Sequence, residues 1–132
     1  MHPTRNIKLR WLHGTLRDIT VTRVHFLPAQ THVWQPAINA FRCEKGVRIC
    51  VDLAGVEKSS IELTVEPQRV VMRGTREAPE PTAEESLQML AFEIDYGPFE
   101  REVHLPVEVD VEQAHAEQEN GLLWITLPAK HE

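Results

Sequence analysis

The sequence predicts an all-β fold, an antiparallel β-sandwich of seven or eight short strands, on three observations. Apolar and polar residues alternate with period two through Val47-Arg48-Ile49-Cys50-Val51-Asp52-Leu53 and again through Ile61-Glu62-Leu63-Thr64-Val65-Glu66, the mark of strands with one buried face. Turn-forming pairs and prolines punctuate these runs, most clearly Asn120-Gly121, where both residues tolerate the positive φ of a tight hairpin. After residue 34 no helical spacing of apolar residues is sustained. Many short strands with tight turns fit two packed sheets.

Taken in order, residues 1–33 form an N-terminal arm, partly ordered or helical. Ile7, Leu9, Trp11, Leu12, Leu16 and Ile19 allow a short amphipathic helix over 7–19, which Gly14 interrupts at a cost of about 1 kcal/mol. Val21, Val24, Phe26 and Leu27 follow, too few to form a core of their own. The main domain spans 34–130. Its strands fall at 37–43, then at 47–53 after a turn at Lys45-Gly46, ending in Ala54-Gly55-Val56. Glu57-Lys58-Ser59-Ser60 supports one helical turn at most. Strands at 61–66 and 69–75 flank a turn at Pro67-Gln68. Residues 77–86 are acidic and carry two prolines, a loop composition. The whole connection 77–96 is long for a sandwich, and long connections usually have a task. Within it, residues 87–94 (LQMLAFEI) are apolar enough to pair with something. A strand at 99–105 stops at Pro106, and the Asn120-Gly121 turn joins strands at 114–118 and 122–127, the last closed by Pro128.

The chain's 132 residues suffice for one domain with a real core but not for two. With 42% hydrophobic and 26% charged residues, composition is that of an ordinary soluble protein. No apolar run approaches the roughly 20 residues of a bilayer span, and residues 1–21 lack the pattern of a secretory signal. A cytoplasmic protein with no membrane partner is therefore expected. The formal charge of −6 is uneven: residues 1–33 carry five basic side chains against Asp18, a net of +4, while 34–132 carry nine basic against nineteen acidic, a net of −10. Such an acidic body speaks against nucleic acid as a partner, since phosphate contacts need clustered Lys and Arg.

No catalytic pattern is present: neither a G-x-S-x-G elbow, nor H-E-x-x-H, nor a G-x-x-x-x-G-K-[ST] phosphate loop. The pairs Glu84-Glu85 and Glu117/Glu119 read as solvated carboxylates. His104 falls on the strand face opposite Val103 and Leu105, hence exposed, and Tyr96 and Trp124 read as packing aromatics. Cys43 and Cys50, reduced in the cytosol, are either small apolar strand residues or a pair facing each other across the Lys45-Gly46 turn. Zinc would need two further ligands, and the seven histidines show no paired spacing. No metal, cofactor or enzymatic activity is expected.

Several pieces occur in a fixed order: Trp34-x-Pro36; Leu53-Ala54-Gly55-Val56; Arg73-Gly74-x-Arg76-Glu77; Tyr96-Gly97-x-Phe99-x-Arg101; Leu105-Pro106-x-x-Val109-Asp110; and Ala116-x-x-x-Asn120-Gly121-x-Leu123 leading to Leu127-Pro128. Together they resemble the alpha-crystallin domain of small heat-shock proteins of the bacterial and plant type, over residues 34–130. The resemblance implies an immunoglobulin-like sandwich and an ATP-independent holding chaperone of the stress response, with no cofactor. Its clients would be unfolded or partly folded proteins. The resemblance also implies that residues 87–94 form a strand exchanged with a second chain. Leu87, Met89, Leu90, Phe92, Ile94 and Arg101 would then carry a homodimer. It places a client groove beside 61–65 and 114–118, with Ile61, Leu63, Val65, Ala114 and Ala116 as its candidate lining. The same residues read first as ordinary sandwich core. Trp11, Val24, Phe26 and Leu27 of the arm are candidate client contacts, or fill the groove. The family's C-terminal Ile-x-Ile/Val motif has no counterpart in Ala129-Lys130-His131-Glu132, and the arm is short, so a dimer or small oligomer is expected rather than a cage. The alternative is a CS-type co-chaperone or adaptor domain that binds one specific folded partner. The 77–96 connection and the A-x-x-x-N-G-x-L piece favour the small heat-shock reading.

Overall fold

Strands that alternate apolar and polar residues must each bury one face, and here they do so in two facing antiparallel sheets. The structure, a computed structural model, describes residues 3–12, 15–20, 33–78 and 88–131, with backbone alone for 7–12 and 15–20. Its strands are β1 (Arg5–Leu12), β2 (Thr15–Thr20), β3 (Ile38–Cys43), β4 (Gly46–Asp52), β5 (Glu62–Glu66), β6 (Arg69–Arg76), β7 (Gly97–His104), β8 (His115–Glu119) and β9 (Leu122–Pro128), with single 3₁₀ turns at Lys58–Ser60 and Val111–Gln113. The first sheet runs β2-β1-β5-β6-β7 and the second β3-β4-β9-β8. The all-β sandwich expected from the sequence is the fold observed.

The inner faces interlock. Val47, Ile49 and Val51 of β4 and Leu123, Ile125 and Leu127 of β9 meet Leu63 and Val65 of β5, Val70 and Met72 of β6 and Phe99 of β7 in one buried cluster. No polar or charged side chain among the described residues is buried, so apolar packing alone fills the space between the sheets. Each of these large side chains contributes about 1.5–3 kcal/mol by leaving water. The Asn120-Gly121 turn forms as expected, with φ of 53° and 80°. Asp110, whose carboxylate accepts a 3.1 Å hydrogen bond from the Glu112 amide, caps the short turn that leads into β8.

One expectation is corrected, and one of the two readings of the cysteines is set aside. Residues 7–12 and 15–19 are not helical: β1 and β2 pair antiparallel, with Ile7 opposite Thr20 and Leu12 opposite Thr15. Ile7, Leu9 and Trp11 also alternate with period two, Gly14 interrupts any helix, and the unpaired edge of β5 rewards an extended backbone that can pair with it. β1 takes that edge, with Arg5 opposite Val65 and Lys8 opposite Glu62. Nor do the two cysteines face each other. Cys43 itself closes the turn opposite Gly46, which sets Cys50 opposite Asn39. Both thiols are free, the first exposed and the second buried.

Candidate functional site

The groove expected beside β5 and β8 is closed. Ile61, Leu63, Val65, Ala114 and Ala116 are 0–7% exposed and belong to the core. Period-two alternation marks a buried face without saying whether another sheet or a guest covers it. The main-chain edge of β5 is held by β1. Among the described residues, the side chains of Arg5 and Thr64 fasten that strand. The Arg5 guanidinium donates to the carbonyl oxygens of Val111, Glu112 and Ala114 at 3.2, 3.4 and 3.3 Å, tying the first sheet to the entrance of β8. The Thr64 hydroxyl donates to Asn6 Oδ1 at 2.8 Å. Of the arm residues singled out, Trp11 lies in β1 opposite Leu16. Val24, Phe26 and Leu27 lie outside the described residues.

A second region surrounds the connection into β7. Residues 88–96 form no strand within the chain, yet Met89, Leu90, Phe92 and Ile94 are 62–89% exposed, a run of apolar side chains turned to solvent. Leu87 lies outside the described residues. The base of this segment is fixed: Arg76 Nη1 donates to the Asp95 carbonyl at 2.9 Å, and Phe92 packs against Tyr96 with centroids 6.0 Å apart. Trp34 anchors the adjoining strip. Its indole donates to the Gly97 carbonyl at 3.1 Å, its ring meets Phe99 at 5.2 Å, and the Arg76 guanidinium lies 4.3 Å over it. Its backbone bridges β7 in parallel. Arg101, expected at a dimer contact, donates to the Pro36 carbonyl at 3.2 Å and so clamps the same strip to β7. Beside it lies a cleft of about 540 Å³ lined by Asp52, Ala54, Gly55, Arg76, Glu77, Ile94 and Tyr96.

Sequence reasoning passed over a third region, the outer face of the second sheet. Phe41 of β3 is 52% exposed and stacks on Trp124 of β9 at 6.4 Å with an 18° interplanar angle. The Arg48 guanidinium of β4 sits 4.7 Å from the Trp124 ring, a cation–π arrangement. The signal was present: Asn39, Phe41 and Cys43 occupy alternate positions of one strand, and an aromatic side chain on its outward face is unusual enough to ask what covers it.

Charge on the outer face of the first sheet is arranged in ladders. Arg69 meets Glu66 at 2.6 Å and Glu102 at 3.3 Å, and Arg73 meets Glu100 at 3.1 Å. The Glu66 hydrogen bond, ahead of the weaker help from Glu102, raises the Arg69 pKa and holds the guanidinium charged. His104 is exposed, as its position in the alternation implied. Among the described residues no cluster of three or more His, Cys, Asp or Glu stands close enough to hold a metal ion, and no helix is long and apolar enough to cross a membrane.

Comparison with known proteins supplies a context for these surfaces. The sequence model of the Hsp20/alpha crystallin family matches residues 40–132. Spore protein SP21 of Stigmatella aurantiaca is 35% identical over 97 residues, which cover 74% of this chain and 56% of that protein. Small heat shock protein C2 of Rickettsia felis is 27% identical over 97 residues, covering 74% of this chain and 62% of that one. This chain thus spans little more than half the length of these relatives. Among solved structures, hspA from Xanthomonas axonopodis superposes with a TM-score of 0.64 at 28% identity, covering 77% of this chain and 97% of that one. Heat shock protein 16.0 from Schizosaccharomyces pombe gives a TM-score of 0.65 at 24% identity, covering 73% and 87%; that likeness concerns the fold.

Proposed function

The chain belongs to the Hsp20/alpha crystallin family of small heat-shock proteins, and from that premise we propose that it is an ATP-independent holding chaperone. It binds unfolded or partly folded proteins and keeps them from aggregating, without changing them covalently. The observation that carries this reading is the family match over residues 40–132, which takes in most of β3 and all of β4 to β9. The exposed apolar run at Met89, Leu90, Phe92 and Ile94 is consistent with it, since apolar surface of this kind marks an interaction site. The alternative, a CS-type domain with one folded partner, is not favoured by the family match.

In this reading the apolar run pairs with a second chain. Residues 87–94 pair with the sheet of another copy, with Arg101 near the contact, and the unit is a strand-exchanged homodimer or a small oligomer of such dimers in the cytoplasm. The edge of β5 is the client seat framed by Ile61, Leu63, Val65, Ala114 and Ala116. It opens when β1 detaches, because Arg5–Lys8 hold that edge in the closed state. The arm residues Trp11, Val24, Phe26 and Leu27 are then free to touch the client as well. Two or three apolar contacts of about 1.5–3 kcal/mol each, less the cost of association, give only roughly millimolar to micromolar binding. Several seats acting together in an oligomer raise the hold by avidity. The test is turbidity of a heat-labile client, with nucleotide omitted. The chain at equimolar amounts suppresses the rise in scattering; an undiminished rise at several-fold molar excess rejects the proposal.

A further inference from the structure

The turn that leads into β8 gathers carbonyl oxygens. Val111–Gln113 make a single 3₁₀ turn between Asp110, whose carboxylate accepts from the Glu112 amide, and Ala114. Carbonyls of so short a turn have few ladder partners, and those withdrawn from water need a donor. Three of them point to one place. Arg5 Nη1 donates to the Val111, Glu112 and Ala114 oxygens at 3.2, 3.4 and 3.3 Å, and the first and last of these bonds are partly buried. Three carbonyl dipoles aimed at one nitrogen make a site for a cation that carries several N–H groups on a long arm, which among side chains describes Arg and Lys.

The residue that fills this site belongs to a strand whose next two positions are matched as well. Arg5 stands opposite Val65, Asn6 opposite Thr64 and Ile7 opposite Leu63. Successive residues of a strand face opposite sides. Arg5 and Ile7 therefore share the side of Val65 and Leu63, both part of the core, while Asn6 lies on the outer side. There the Thr64 hydroxyl donates to Asn6 Oδ1 at 2.8 Å. Three consecutive positions of β1 thus carry a basic residue, a hydrogen-bond acceptor and an apolar residue, each set opposite a fixed feature of the sandwich. The strand has the form of a bound ligand supplied by the chain itself.

We infer that the carbonyls of Val111, Glu112 and Ala114 form a recognition site for a long basic side chain. Through it the β5 seat selects extended non-native segments that carry Arg or Lys two residues before an apolar residue. This inference rests on the chaperone reading and names the segments that its seat holds. While β1 is in place, Arg5 satisfies the three oxygens; a client takes over by supplying the same donor, so the exchange leaves no carbonyl without a partner. The acidic body, net −10 over residues 34–132, favours the approach of a basic segment. Because β1 and client compete for one site, weakening β1 strengthens client binding.

The test uses the full chain and fluorescent, end-blocked peptides that copy residues 3–9, Pro-Thr-Arg-Asn-Ile-Lys-Leu, with binding read by anisotropy. The peptide with Arg5→Lys binds within about threefold of the parent, since both side chains carry the charge and the N–H groups. Norleucine in place of Arg5 keeps the stem and loses the donor, and binds about tenfold more weakly. Exchanging Thr4 and Arg5 keeps composition and charge but turns the basic side chain to the other face, and costs about tenfold as well. In the full chain, Arg5→Ala loosens β1 and tightens the parent peptide about tenfold. Circular dichroism reports whether that variant folds; if it does not, the peptide ranking on the wild-type chain decides alone. Reduced and carboxymethylated lysozyme, which stays unfolded, serves as the client, and excess parent peptide displaces it. Equal binding of the parent, norleucine and exchanged peptides overturns the basic site. So does a held client that the parent peptide fails to displace, or a held client with no peptide binding to either chain. These outcomes leave the chaperone reading standing. No binding of the client by the wild-type chain rejects the chaperone reading itself.

Discussion

At Gly74 a Cβ would lie 2.5 Å from Phe99 Cζ and 2.6 Å from the Ser60 carbonyl oxygen, and Phe99 is 2% exposed with no room to retreat. Gly74→Ala should therefore cost about 2 kcal/mol by overpacking, seen as a lower urea midpoint; an unchanged midpoint would contradict the packing described. Arg5 is the other side chain on which much turns. A charged donor shared among the carbonyls of Val111, Glu112 and Ala114 contributes about 1.5–3 kcal/mol. Arg5→Ala should speed amide exchange in β5 by about tenfold or more, whereas exchange equal to wild type would show that the hairpin is held by other means. At this scale the sequence was partly legible. Asn120 and Gly121 announced their turn, because two residues tolerant of positive φ rarely stand together for another reason. Gly74 announced nothing, since its role depends on Phe99, 25 positions away in sequence. Phe41 was missed for a similar cause: only the pairing of β3 with β4, and of β4 with β9, brings it to Trp124.

At the scale of the element, β4 to β6 and β9 could be read almost residue by residue, because a half-buried strand writes its exposure into alternate letters. The arm could not. Ile7, Leu9 and Trp11 satisfy a strand, while Leu12, Leu16 and Ile19 extend a helical stripe, and the choice was made by the vacant edge of β5, a tertiary fact. The groove residues illustrate the same limit, since Ile61, Leu63 and Val65 would alternate identically whether they faced a sheet or a client. The segment 88–94 makes a different kind of prediction. Its exposed Met89, Leu90, Phe92 and Ile94 have no cover within the chain among the described residues, and strand exchange with a second chain would supply it. Deleting 88–94 should halve the mass measured by light scattering; a mass unchanged apart from the deleted residues would reject the exchange.

For the whole molecule, the distribution of charge and the distribution of edges act together. In the proposed chaperone, the net −10 of residues 34–132 would keep complexes with clients apart in solution by mutual repulsion, with apolar and backbone contacts as the hold. A consequence is that 0.5 M salt, which shortens the screening length to only a few Å, should leave client binding nearly intact but enlarge the complexes, measurable as a greater hydrodynamic radius by dynamic light scattering. Binding abolished by salt would point to an electrostatic hold instead. The fold was legible in the sequence because it is written in alternation and turns. The working surfaces were less so, because they are defined by what remains unpaired after folding. The central claim, that this sandwich retains non-native chains without nucleotide, is tested most directly by heating a labile client with the 132-residue chain and resolving the mixture by size exclusion with light scattering. The account predicts that client and chaperone co-elute in a soluble complex heavier than either alone. Client lost to the pellet, with the chaperone eluting as before, would contradict it.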